Sequence, residues 1–368
     1  MKCLSIAGLF VLLCTAVTSE ACGGPNETVF TFRGTSDASA TVALGRDKFI
    51  MADDEDNILR VYKLGGGSAP IYSYDTTAFL RITAEHPEAD IEGATVVGNR
   101  IYWITSHGRN RRGQMRPNRY RFFAASVRVE GGSISIEPVG RPYRWLAHEL
   151  VTAEHLSQLG LGRATRFSAN GLGRKELAKL APKREGLNIE GLCASPDGGT
   201  IWIGFRNPRP PLGAGGIPQA LVVPLKNAAL VVERAHRPVF GKPLLWDLGG
   251  LGIRSMEHSR YHQAYFILAG PHNGQSRFAL YRWSGQRDKQ PVLVRQIDTA
   301  ETEFVPEALA VFDGSESLWL LSDDGSLTID VASASECVEG QLLQDGRCQN
   351  KHLTDPNKQS FRGMWLKP

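Results

Sequence analysis

One segment recurs along this 368-residue chain: an acidic residue, a short strand of small or apolar residues, a turn, and a second, more apolar strand. The clear copies are Ile91-Glu92-Gly93-Ala94 leading to Ile101-Tyr102-Trp103-Ile104, Ile189-Glu190-Gly191-Leu192 leading to Ile201-Trp202-Ile203-Gly204, Met256-Glu257-His258 leading to Tyr265-Phe266-Ile267-Leu268, and Pro306-Glu307-Ala308-Leu309 leading to Leu318-Trp319-Leu320-Leu321. A weaker copy runs from Asp37 to Phe49-Ile50-Met51. One small antiparallel sheet cannot bury both of its faces alone, so repetition at intervals of tens of residues predicts stacked sheets and an all-β fold, a β-propeller. Because the acid keeps one repeat position, Asp37, Glu92, Glu190, Glu257 and Glu307 are expected to meet at one mouth of the central channel.

Each repeat reads as four strands. In the fourth the inner strand is placed at 256–259, and in the last the third and fourth strands are placed at 327–331 and 361–366. Residues 28–32 precede Asp37 as each outer strand precedes its Glu, which predicts that they pair with the last repeat and close the ring. The interval between Glu92 and Glu190 is longer than the others. Within it, 146–159 and 175–180 have helical spacing, punctuated by Gly160, Gly162, Gly171 and Gly173. Residues 141–188 therefore read as a helical insertion beside a five-bladed ring; a sixth, degenerate blade hidden there is the alternative.

Lys2, the apolar run 4–17 and the small residues Ser19 and Ala21 have the layout of a secretory signal over 1–21, leaving 28–368 as a single propeller domain. No later stretch reaches the roughly 18 apolar residues of a spanning helix. The expectation is a secreted or periplasmic protein, with a lipid anchor at Cys22 as the weaker alternative. Cys337 and Cys348 bracket a short polar loop, as a local disulfide would in an oxidising compartment. Cys193 reads as a small buried thiol. A formal charge of +4 and no basic stripe give no footprint for nucleic acid.

Converging carboxylates repel unless a cation, arginines or bound protons sit among them. Hard oxygen ligands suit Ca²⁺. The other reading is that each Glu is held by an arginine of a neighbouring blade, with Arg109 and Arg206 as partners. The loops that open on the same face carry Asp53-Asp54-Glu55-Asp56-Asn57, Arg109, Asn110, Arg206, Asn207 and Asn273, which are candidate ligand contacts. Six arginines between 107 and 121 allow an anionic ligand. His107 and His272 hold matching loop positions and are the candidate general bases. Gly-x-Ser-x-Gly, His-Glu-x-x-His, Cys-x-x-Cys and Walker patterns do not occur. Trp103, Trp202 and Trp319 recur in the second strand and read as packing between blades.

The strings Ala52-Asp53-Asp54-Glu55-Asp56-Asn57, Ala89-Asp90-Ile91-Glu92-Gly93-Ala94, Ser106-His107-Gly108-Arg109-Asn110, Arg116-Pro117-Asn118-Arg119, Gly186-Leu187-Asn188-Ile189-Glu190-Gly191-Leu192, Gly204-Phe205-Arg206-Asn207-Pro208 and Asp247-Leu248-Gly249-Gly250-Leu251-Gly252-Ile253-Arg254 together resemble the bacterial family called domain of unknown function 3616. The resemblance spans about 35–330 and implies a propeller without an activity. More distantly, the Glu-Gly start of the inner strand is similar to phytase-like esterase and gluconolactonase-type propellers, which often hold a metal at the channel mouth; only the repeated Glu carries over. Two functions follow. The first is a binding or scaffold protein whose Glu-lined mouth takes an anionic small molecule or a protein partner. The second is a Ca²⁺-dependent hydrolase of phosphoesters or lactones in which His107 or His272 moves protons.

Overall fold

In the computed structural model, which describes residues 28–169, 171–211, 215–273, 275–299 and 302–368, five four-stranded antiparallel sheets follow one another around a ring. The expected signal segment 1–21, with Cys3 and Cys14, and Cys22 after it lie outside the described residues. Strand β1 (Val29–Arg33) comes first in the chain but belongs to the last blade. Blade 1 is β2 (Ala40–Leu44), β3 (Lys48–Ala52), β4 (Ile58–Lys63) and β5 (Tyr72–Asp75), followed by the short helix α1 (Thr77–Leu80). Blade 2 is β6 (Ile91–Val97), β7 (Arg100–Thr105), β8 (Phe122–Glu130) and the long β9 (Ser133–Tyr143). Helices α2 (Leu146–Thr152), α3 (Leu161–Thr165) and α4 (Arg174–Lys179) then precede blade 3. That blade is β10 (Asn188–Ala194), β11 (Ile201–Asn207), β12 (Ala220–Leu225) and β13 (Leu244–Trp246), with α5 (Ala228–Arg234) between its last two strands. Blade 4 is β14 (Gly252–Ser259), β15 (Ala264–Gly270), β16 (Phe278–Trp283) and β17 (Val292–Ile297).

The last blade departs from the sequence reading. Its inner strands are β18 (Pro306–Ala310) and β19 (Leu318–Ser322), but its third strand is β22 (Ser360–Leu366), not 327–331. The latter region supplies β20 (Thr328–Asp330), which pairs with β21 (Arg347–Gln349) in a separate hairpin stapled by the Cys337–Cys348 disulfide. Thr328, Ile329 and Asp330 alternate exposed, intermediate and exposed, which leaves no second buried face for a neighbouring blade. The fourth place is taken by β1, antiparallel to β22 with Val29 opposite Met364, so the two ends of the chain close the ring in one sheet. The helices of the insertion fall within 146–179, its expected first residues 141–143 belonging to β9 and Asn188 to β10, and no sixth blade occurs among the described residues.

The core lies between blades. Each blade buries both faces, so second strands read as unbroken apolar runs, and β19 is buried at all five positions. Trp103, Trp202 and Trp319 sit in the interfaces between blades 1 and 2, 3 and 4, and 5 and 1. The helical insertion adds Leu146, Leu150, Leu156 and Leu161 to the interface of blades 2 and 3, which fixes it beside one rim of the channel.

Candidate functional site

Four inner strands begin with a one-residue bulge, and the bulged residue turns toward the channel. The slips fall between Ile91 and Gly93, Ile189 and Gly191, Ile253 and Ser255, and Pro306 and Ala308. The extra residues are Glu92, Glu190, Arg254 and Glu307; bulges of this kind re-aim a side chain. The glycine after the acid has a steric cause. A Cβ at Gly93 would lie 3.0 Å from the Glu190 carbonyl oxygen, and one at Gly191 would lie 2.7 Å from Ile253 Cγ2.

The fourth ring member is therefore an arginine. The inner strand of blade 4 starts at Gly252 rather than at 256, which places Glu257 three residues beyond the bulge and toward the opposite mouth. Arg254 Nη1 lies 3.2 Å from Glu190 Oε2, and its Nη2 pairs with Glu307. Arg206 Nη1 adds 2.7 Å to Glu190 Oε1, where Asn188 Nδ2 also donates at 2.6 Å. Glu190 and Glu307 are thus held by arginines. Glu92 is not: only 8 % exposed, it receives no hydrogen bond and no ion pair among the described residues.

Next to Glu92 lies an acidic seam from the loops of blades 1, 2 and 5. One oxygen from each of Asp54, Asp90 and Glu92 lies within 4.8 Å of the others, and the same holds for Asp37, Asp53 and Asp54 and for Glu92, Glu190 and Glu307. Asp90 is occupied by Ser106 and by Arg119 Nη1 at 3.0 Å. Asp53 accepts from Thr35 and from the Asp37 and Glu55 amides at 3.1 and 2.7 Å. Asp37 forms an isolated bridge with Asp323 and accepts the Gly325 amide at 3.2 Å. Asp54 Oδ1 is buried without a partner.

Burial raises the carboxyl groups here, and their mutual charge adds to it. Glu92 is driven well above the usual range by burial, then by Glu190, Asp90 and Asp54. Asp54 is driven well above it by burial and then by Asp53, Glu55, Asp90 and Asp323. Asp53 and Asp90 reach about 7 and about 6, with burial again the leading cause. Asp37 rises by burial and by Asp323. Burial and crowding thus favour the protonated form of these carboxyl groups, and an added positive charge would oppose that.

The remaining sequence candidates separate from this cluster. His107 is fully buried, with Nδ1 2.8 Å from the Thr105 carbonyl, and burial pushes it down to about 4. It is a packed residue, not an accessible base. Half-buried His272 is also lowered to about 4 by burial, Arg209 and Arg206, which sets it on the basic side of the mouth. Arg109 holds no Glu; it donates to the carbonyls of Gly113, Thr165 and Arg166 at 3.1, 3.2 and 2.8 Å and ties the insertion to blade 2. Asn110 braces its own loop by accepting the Arg112 and Gln114 amides, and buried Asn207 donates to the Pro182 and Arg184 carbonyls. Asn273 is exposed. Glu257 borders a second cavity of about 450 Å³ at the opposite mouth, with one carboxylate oxygen buried and unpartnered; burial raises its carboxyl to about 8.

Sequence reasoning missed Arg254 and the central place of Asp54, Asp90 and Asp323. A signal for Arg254 was present, since Ile253-Arg254-Ser255 has the apolar-charged-small pattern of Ile91-Glu92-Gly93 with the charge reversed.

Residues 170–331 match the family described as "Protein of unknown function (DUF3616)", and three of the seven strings that carried the resemblance fall in that span. No curated protein matches the chain. Similar solved structures include Myxococcus xanthus glutaminyl cyclase (14 % identity over 80 % of this chain and 88 % of that one, TM-score 0.40). A putative oxidoreductase (glucose dehydrogenase) from Thermus thermophilus has 14 % identity over 92 % and 100 %, with a TM-score of 0.38. Virginiamycin B lyase from Staphylococcus aureus has 9 % identity over 92 % and 99 %, with a TM-score of 0.36.

Proposed function

We propose that this is a binding protein whose channel mouth holds a divalent cation between Asp54, Asp90 and Glu92, and that the cation captures an anionic small molecule. The observation that carries the reading is the Glu92 carboxylate. It is more than nine-tenths buried, lies in a mouth where carboxylate oxygens are within 4.8 Å of one another, and has no hydrogen-bond or ion-pair partner among the described residues, whereas Glu190 and Glu307 each have an arginine. An all-oxygen, carboxylate-rich donor set fits a hard ion of the Ca²⁺ class. The cation would replace the protons that burial otherwise imposes, so its affinity rises with pH. Arg206, Arg209 and His272 lie on the opposite side of the mouth, where an anion bridging to the cation would meet positive charge.

Hydrolysis is the competing reading, and the two histidines expected to serve it do not suit it: His107 is sealed, and His272 is lowered to about 4 by burial, Arg209 and Arg206, which makes it a weak base near neutral pH. Adding calcium to chelator-treated protein should raise Tm by roughly 5 °C at a hundredfold excess over Kd. Glu92→Gln and Asp54→Asn should each abolish the rise, while Glu257→Gln, at the other mouth, should leave it. A wild-type Tm indifferent to calcium would sink the cation site. Calcium-dependent turnover of a phosphoester or lactone, lost in Glu92→Gln, would replace binding by catalysis.

A further inference from the structure

Away from the channel, a groove of about 690 Å³ runs between α1 and the link from β9 into α2, lined by Phe79, Arg81, Arg141, Tyr143, Arg144 and Trp145 among others. Its lining contains no acidic residue. Trp145 is 65 % exposed, the most exposed of the tryptophans and far from the buried Trp103, Trp246, Trp283 and Trp319. Arg81, Arg141 and Arg144 are all exposed, and among the described residues none makes a side-chain hydrogen bond or ion pair. Glu149, on the same helix as Leu146, is taken up by Arg237 at 2.7 Å.

The charge behind the groove is also uncompensated. Arg121, 2 % exposed, donates to the carbonyls of Leu80, Pro117 and Tyr120 at 2.9, 2.8 and 2.9 Å and has no carboxylate partner among the described residues. Burial is the main cause that lowers it to about 10, and the charge of Arg144 adds to the effect. A flat indole open to water beside three free guanidinium forks suits a ligand with an apolar ring face and carboxylates at its edge.

We propose that this groove binds an acidic oligosaccharide, one sugar ring stacking on Trp145 and its carboxylates pairing with Arg81, Arg141 and Arg144. A pyranose presents C–H groups on its face and, in a uronic acid, a carboxylate at its edge, which matches this arrangement. A nucleic acid would track a longer basic path, and the Cys337–Cys348 disulfide is consistent with an oxidising setting outside the cell, where acidic polysaccharides are the common polyanions.

The test is calorimetric titration of the full chain with an oligogalacturonate, in chelator so that the mouth is silent, against a neutral oligogalactan and adenosine monophosphate. Expected are saturable binding of the oligogalacturonate that weakens with salt, at least about tenfold weaker binding of the neutral sugar, and an affinity loss of about tenfold or more in Trp145→Ala and in Arg141→Ala/Arg144→Ala. These side chains are exposed, and circular dichroism should show all variants folded. Wild-type affinity in Trp145→Ala, equal binding of the neutral sugar, or no binding of the oligogalacturonate would each overturn the proposal. Tighter binding of the nucleotide than of the oligogalacturonate would overturn it in favour of a nucleotide site.

Discussion

The channel mouth and the Trp145 groove both gather like charges, but one does so in the interior and the other in water. At the mouth, Asp37, Asp53, Asp90, Glu92, Glu190 and Glu307 are all buried, so each needs an arginine, a proton or a cation to be tolerated. In the groove, Arg81, Arg141 and Arg144 are exposed and solvent screens them, so they can stay unpaired at little cost. The difference separates two kinds of site. An occupant of the mouth takes part in holding the fold together, whereas an occupant of the groove is optional to it. Substitutions at the mouth should therefore move stability and pH dependence together, and substitutions in the groove should move affinity alone.

The largest effect that would sharpen this contrast is expected from Arg254→Met. The guanidinium bridges Glu190 and Glu307 at 4 % exposure, and its removal leaves buried carboxylates facing each other. Breaking a buried pair from one side costs roughly 3–5 kcal/mol. Urea unfolding at pH 7 in chelator should show that loss, and calcium should restore part of it by taking over the missing charge. An unchanged unfolding midpoint would mean that the ring is not coupled through charge at all.

A somewhat smaller effect is expected at the opposite mouth, where Glu257 stands alone. Its folded carboxyl titrates near 8 because of burial, against an ordinary value of 4.5. Since the folded state keeps a proton that the unfolded state has lost, the contribution is fully present below about pH 4.5 and disappears as pH rises through 8. The full shift would carry about 5 kcal/mol, and because Glu257 is partly exposed wild-type stability should fall by roughly 3 kcal/mol across that window relative to Glu257→Gln, with the two curves parallel above pH 9. Parallel curves throughout would show that water reaches this carboxylate freely.

The ring itself was legible because a propeller repeats its register: Gly after Glu, an apolar second strand, and an outer strand before each acid survive as patterns in one dimension. The closing pair of β1 with β22 followed from the same pattern. Two features were not legible. Matching on the Glu letter placed blade 4 three residues late, because Met256-Glu257-His258 mimics the motif while the bulge lies at Arg254. Ile253-Arg254-Ser255 keeps the register of the motif, but its reversed charge escapes a match on Glu. The hairpin of β20 and β21 was misplaced because residues 327–331 have the length and composition of a strand, and the choice of partner, made 30 residues later at β22, depends on which segment can bury both faces. His107 looked accessible from its loop position, yet Tyr120 packs edge-on against it at 5.6 Å between ring centres.

The smallest effect on stability, and the one most able to break the contrast, belongs to Arg144→Ala. If the groove arginines are free of structural duty, the substitution should change unfolding free energy by no more than about 0.5 kcal/mol. The expected sign is slightly stabilising. Arg121 is pushed down to about 10 by burial and by Arg144, so the charged form of this buried group is disfavoured in the fold; removing Arg144 relieves part of that cost. The same variant should weaken oligogalacturonate binding measurably, because one guanidinium fork is lost. A destabilisation above about 1 kcal/mol would show that Arg144 already has work in the fold, and would place the groove in the same class as the mouth, where charge and stability cannot be separated.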